Sequence, residues 1–173
     1  MPTHKKSLHT LVSLVEDTPG VLSRIVNLFR KRGYNIESLS VGHSETKGIS
    51  RMTFVVNESD TNVEQVIKQM YKIINVLKVS NITFDDAVEH ELCLIKVAVN
   101  KETRQDLLNV LQLFSAKTVD IKVNSVIAEI VDTTQRIDDF VEVMRKFGIK
   151  ELTRTGKVAM NRGQDEIKVK SKV

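Results

Sequence analysis

Cysteine occurs once in this chain, at Cys93, so an intramolecular disulfide is excluded. Its neighbours Leu92, Leu94 and Ile95 mark it as a buried structural thiol rather than a nucleophile. A reducing, cytoplasmic setting is expected. Aromatic residues make up 5% of the chain. That scarcity argues against an RNA-binding sheet, which needs exposed rings for base stacking. The strand-like run Ile49–Val56 holds a single aromatic, Phe54. No apolar run reaches the ~20 residues needed to span a bilayer, and Met1–Lys6 leads into a strand-like segment without signal-peptide architecture. His4, His9, His43 and His90 lack metal-ligand spacing. There is no Gly-rich phosphate loop, nucleophile elbow or zinc motif. Glu16 and Asp17 are adjacent, and neighbours on a strand point to opposite faces, which disqualifies them as an acid–base pair. Positive charge is mildly in excess, at +4, and scattered apart from Arg30–Arg32 and Lys168, Lys170 and Lys172. Basic residues at a helix end complement the dipole and imply no nucleic acid. No catalytic residue and no metal site is expected.

What is present is enough hydrophobic residue, 41% of 173, for one domain or two small ones. The pattern reads as one unit used twice. Leu8–Val15 is a strand apolar on both faces. Val21, Leu22, Ile25, Val26, Leu28 and Phe29 follow helical spacing, and Gly33 closes that helix. Tyr34–Val41 and Ile49–Val56 predict a hairpin across a polar turn. Val63, Val66, Ile67, Met70, Tyr71 and Ile74 predict a second helix, and Asn75–Phe84 a fourth strand. After an acidic linker, Asp85–Glu91, the order repeats. Leu92–Val99 is a strand and Thr103–Phe114 a helix. Thr118–Val123 and Val126–Val131 form a hairpin, Ile137–Phe147 a helix, and Ile149–Thr155 the last strand. Each half is βαββαβ, so the fold class is α+β, two tandem ferredoxin-like units. The expected division is 1–84, a linker at 85–91, 92–162, and a mobile charged tail at 163–173.

The turn Asp17-Thr18-Pro19-Gly20 between the first strand and helix is the candidate site. Thr18 is expected at the N-cap and Pro19 at the first helical position. Gly20 lets a ligand approach closely, and the free N–H groups behind it suit a small carboxylate. Leu8, Thr10, Val12 and Leu14 share one face of the first strand, Leu11 and Val15 the other. A four-stranded sheet with both helices on one face leaves the other bare. The apolar residues there predict a partner, by edge pairing or face-to-face stacking.

These residues resemble the ACT domain, a small amino-acid-binding regulatory module. The run Phe29-Arg30-Lys31-Arg32-Gly33-Tyr34-Asn35-Ile36-Glu37-Ser38-Leu39, with Ser50-Arg51-Met52-Thr53, resembles more narrowly the small subunit of acetohydroxyacid (acetolactate) synthase. The likeness continues through Glu64–Lys72, Val76–Val79, Glu91–Val97 and the closing segment Leu152–Gly163. It implies a regulatory chain without chemistry of its own. Such a chain would dimerise through its ACT domains and activate a large catalytic subunit. It would also confer feedback inhibition by a branched-chain amino acid, most often valine. Thiamine diphosphate, magnesium and FAD would reside in that large subunit. The implied effector site lies where two ACT domains meet: Gly20, Val21 and Leu22 of one chain face Asn35 and Ile36 of another. Asp17 departs from the family's common Asn, and it serves either as helix cap or as partner of the effector's ammonium. The second half carries Val99–Thr103 in place of a Pro-Gly turn, which argues against a second amino-acid site. The alternative expectation is an ACT-domain sensor that regulates a different enzyme.

Overall fold

The computed structural model describes residues 7–164 and 166–168. It divides into two compact units. One comprises the chain to Val88 and again from Lys157, the other Glu89–Gly156.

The first unit contains β1 (Ser7–Glu16), α1 (Val21–Arg32), β2 (Ile36–His43), β3 (Ile49–Glu58), α2 (Asp60–Met70) and β4 (Val76–Asn81). The sheet order is β2-β3-β1-β4, all antiparallel. Alternation on β1 sends Leu11 and Val15 to the helix side, where α1 contributes Val21, Ile25 and Phe29 at helical spacing. Val63, Val66 and Met70 of α2 complete that core, and Phe29 stacks on Phe54 with centroids 5.6 Å apart. α2 stops at Met70, short of the predicted stripe, and Ile74 is 85% exposed. Tyr71 explains the early stop. Its hydroxyl donates to the Val79 carbonyl and accepts from the Val79 N–H, which ties the turn to β4.

β5 (Ala87–Ala98) leads into the second unit, so most of the stretch expected as a linker is strand. There follow α3 (Arg104–Leu113), β6 (Lys117–Ile121), β7 (Ser125–Asp132), α4 (Thr134–Met144) with a 3₁₀ turn at Arg145–Phe147, and β8 (Ile149–Arg154). The order β6-β7-β5-β8 repeats that of the first sheet. Cys93, Ile95 and Val97 face Leu107 and Leu111 of α3 and Ile137, Phe140 and Met144 of α4. Burial pushes the Cys93 thiol pKa up, so the side chain is a neutral core group.

After Gly156 the chain returns to the first unit and forms β9 (Val158–Asn161), a strand with no counterpart in the sequence reading. This return covers the second face of the first sheet. Val12, Leu14 and Ile82 are buried against Ala159 and Ile167, with Ile49 and Ala87 alongside. The apolar residues that predicted a partner chain by face-to-face stacking are thus partly covered by their own chain. Ile167 lies within the span expected as a mobile tail, yet it is 7% exposed. Residues 165 and 169–173 of that span lie outside the described residues. β2, by contrast, is an outermost strand and pairs β3 alone in its sheet.

Candidate effector site

The site begins where β1 gives out. The Asp17 N–H donates to the Gly48 carbonyl at 2.8 Å, and the Thr18 N–H to that of Glu16 at 2.9 Å. The Val21 N–H then reaches back to the Thr18 carbonyl at 3.4 Å. With Pro19 second and Gly20 third, at φ 87° and ψ −6°, the four residues Thr18–Val21 form a type II turn. That turn needs a positive φ at its third position, which glycine adopts without a Cβ penalty. The helix consequently starts two residues later than expected. Gly20 is the N-cap and Val21 the first helical residue, in place of Thr18 and Pro19.

No side chain caps this helix start, so Asp17 is not a cap. The Arg24 N–H finds the Gly20 carbonyl at 3.0 Å as the first intrahelical bond. The N–H groups of Leu22 and Ser23 precede it and point out of the helix, together with the positive end of the dipole. A Cβ placed on Gly20 would meet nothing within 4 Å. Of the two following site residues, Val21 is 2% exposed and belongs to the core, so only its backbone could face a ligand. Leu22 is 40% exposed.

Asn35 and Ile36 lie beyond the other end of α1. Twelve helical residues rise about 18 Å, so one chain does not bring them to Gly20. Asn35 is exposed and donates to Glu37 through Nδ2, and Ile36 is half-buried against the first core. Assembling all six residues therefore takes a second copy.

Two polar features of this end of the unit escaped the sequence reading. His43 Nδ1 sits 3.3 Å from the Asp17 carboxylate. Arg24 Nη1 donates to Asn75 Oδ1 at 2.7 Å, and Asn75 Nδ2 donates to Glu16 Oε2 at 2.7 Å. No local spacing links residues 16, 24 and 75. The hairpin register was the available signal for His43, since His43 lies opposite Ser50 and Glu16 opposite Ile49.

The corresponding position of the second unit is built differently. Asn100 Oδ1 accepts the N–H groups of Glu102 and Thr103 and the Thr103 hydroxyl. These bonds close the turn that precedes α3, which has no glycine, while the start of α3 itself, like that of α1, carries no side-chain cap. Among the described residues there is no group of His, Cys, Asp or Glu that could hold a metal ion, and no helix long and apolar enough to cross a membrane.

Two ferredoxin-like units, the first with an uncapped turn before its first helix, define a tandem protein of the ACT type. Comparison with known proteins narrows the class. The family described as the small subunit of acetolactate synthase matches residues 90–163, and its ACT domain matches residues 11–78. The probable acetolactate synthase small subunit of Archaeoglobus fulgidus is 50% identical over 155 residues, 90% of this chain and 97% of that one. The Mycobacterium leprae acetolactate synthase small subunit is 44% identical over 155 residues, 90% of this chain and 92% of that one. The crystal structure of the Thermotoga maritima acetolactate synthase small subunit superposes with a TM-score of 0.86 at 36% identity, covering 92% of this chain and 99% of that one. The chain belongs to the acetolactate synthase small-subunit family.

Proposed function

We propose that this chain is the regulatory subunit of acetolactate synthase. It associates with a large subunit, which carries thiamine diphosphate, magnesium and FAD and does the chemistry. It raises that subunit's activity and makes it sensitive to a branched-chain amino acid, valine first among them. The setting is cytoplasmic, as for a soluble biosynthetic complex.

The observation that carries the effector reading is the glycine turn before α1, with open space above Gly20. α1 offers the N–H groups of Leu22 and Ser23 beside an unobstructed Gly20, while Thr103, bonded to Asn100, stands at the position before α3. A free amino acid has a carboxylate for the first arrangement, where the glycine lets it approach the backbone closely. Its ammonium is matched by Asp17, whose carboxylate is not spent on capping. Asn35 and Ile36 of a second copy complete the site, with the β2 edges of two chains paired to extend the sheet. Edge pairing satisfies the outer backbone groups of β2 and leaves the strand return in place.

The test is a calorimetric titration of the full chain with valine, leucine and isoleucine, followed by acetolactate synthesis assays on the holoenzyme. Binding of one amino acid per ACT site, with inhibition over the same concentration range, is the expected result. Absence of binding by all three would sink the effector reading. Co-purification with a different enzyme would sink the assignment of the partner.

A further inference from the structure

We propose that the returning segment, Lys157–Gln164 with Ile167, is a strap that transmits the state of β2, beside the effector site, to the second unit. The proposal rests on the effector reading above and names the route by which that site acts.

The joint is the hydrogen bond from the Lys157 N–H to Ser38 Oγ, at 3.0 Å. Ser38 lies two residues beyond Ile36 on the outermost strand. The β2–β3 register shifts between Ile36 and Ser38, so the strand is irregular where the effector residues end and the anchor begins. A bulge is a place where one edge of a sheet can reset without unpairing the rest. A ligand that repositions Asn35 and Ile36 therefore acts next to Ser38.

The other end of the joint follows closely in sequence. Thr155 is the last anchor in the second unit. Its N–H donates to the Leu92 carbonyl at 3.0 Å, and its Oγ accepts the Leu92 N–H at 3.1 Å. Lys157 is the first anchor in the first unit. Gly156 alone separates them, at φ 79°. A residue contributes at most about 3.6 Å of extension, so a shift of Lys157 is either taken up by rotation at Gly156 or passed to β8.

The remainder of the strap is held firmly, which is what a transmitting element requires. Arg51 Nη2 donates to the Ala159 carbonyl at 3.1 Å, Lys157 Nζ to Thr10 Oγ1 at 3.4 Å, and the Arg162 N–H to the Asp86 carbonyl at 2.8 Å. Ala159 and Ile167 are buried on Val12, Leu14 and Ile82. The strap is thus held along its length, and it meets the outermost strand through the bond at Ser38. This accounts for two stretches that the effector site leaves unused, Ser50–Thr53 and Leu152–Gly163.

The experiment uses the holoenzyme reconstituted from the full chain and its large subunit, with valine, leucine and isoleucine as probes. Ser38→Ala removes the joint, and Ala159→Asp unseats the strap. Ser38→Ala is expected to keep its melting temperature and to bind the amino acid within about threefold of the wild type, while inhibition needs about tenfold more effector or vanishes. Hydrogen exchange of residues 157–164 should change on effector binding in the wild type and not in Ser38→Ala. A strap that is merely a cover predicts unchanged inhibition in Ser38→Ala, and that result overturns the proposal. Should Ala159→Asp fail to fold, Ser38→Ala and the exchange data decide. If the wild type is inhibited and Ser38→Ala equally so, only the strap is refuted. If the wild type neither binds nor responds to any of the three, the effector reading falls and takes the strap with it.

Discussion

Arg154 closes on Glu91 through two hydrogen bonds, Nε to Oε1 at 3.0 Å and Nη2 to Oε2 at 2.7 Å. The Glu91 side chain is 7% exposed, and Asp138 on α4 takes a third bond from Nη1 at 2.6 Å. The Glu91 hydrogen bonds, reinforced by Asp138, push the guanidinium pKa upward. One side chain on β8 is therefore tied to β5 and to α4. Arg154→Met would leave Glu91 buried without its counter-charge and should destabilise the second unit by about 3 kcal/mol. Arg154→Lys should recover only part of that, because an ammonium cannot bond both carboxylate oxygens in parallel. Urea unfolding would check both, and the double variant Arg154→Met with Glu91→Leu should regain most of the loss. A double variant that is less stable than either single one would contradict the pairing.

Asp17 accepts no backbone N–H at the start of α1, and its carboxylate faces the exposed His43. Exposed pairs contribute about 0–1 kcal/mol, so Asp17→Asn should leave the unfolding midpoint almost unchanged. An amide cannot supply the charge for an ammonium group. We expect valine affinity to fall by roughly 1.5–3 kcal/mol, which is tenfold or more. Calorimetry showing equal affinities would remove Asp17 from the site.

Gly20 combines a left-handed backbone with open space above it. Any L-residue there is strained by about 1–2 kcal/mol, and Asn and Asp are the residues that tolerate the conformation best. The informative comparison is therefore Gly20→Asp against Gly20→Asn, which share backbone strain and size. Two like charges about 4 Å apart near a surface repel by about 4 kcal/mol, so the Asp variant should bind valine at least tenfold more weakly than the Asn variant. Indistinguishable affinities would mean that no carboxylate sits at this helix start.

The outermost position of β2 and the exposure of Leu22, Val26 and Val41 bear on self-association. α1 leads into β2, and Leu22 and Val26, one turn apart, form an apolar stripe on it. We expect the full chain to sediment as a dimer at micromolar concentration and the variant Val26→Lys with Val41→Lys as a folded monomer. A monomeric wild type, or an undisturbed dimer in the variant, would exclude pairing at this edge.

Much of the fold was legible because it is local. Val21, Ile25 and Phe29 mark the buried face of α1 by spacing alone, and Gly33 marks its end. Leu11 and Val15 identify the core face of β1, and the two hairpins stand where alternation broke at a polar turn. The turn at Thr18–Val21 was legible as a turn but not as its type. Pro19 satisfies both the first position of a helix and the second of a type II turn. The choice follows from Gly20 adopting a positive φ, which displaces the helix start by two residues.

Sequence alone determined the doubled βαββαβ order and both helix-side cores, because each depends on residues within one or two turns of one another. Tertiary structure decided what covers the second face of the first sheet and where the six site residues stand. Lys157 meets Ser38 across 119 residues of chain and Thr10 across 147. No periodicity spans such distances. The apolar residues Val12 and Leu14 announced that something must cover them. Hydrophobic burial is non-directional, and so those residues could not specify whether the cover would be a second chain or the far end of their own.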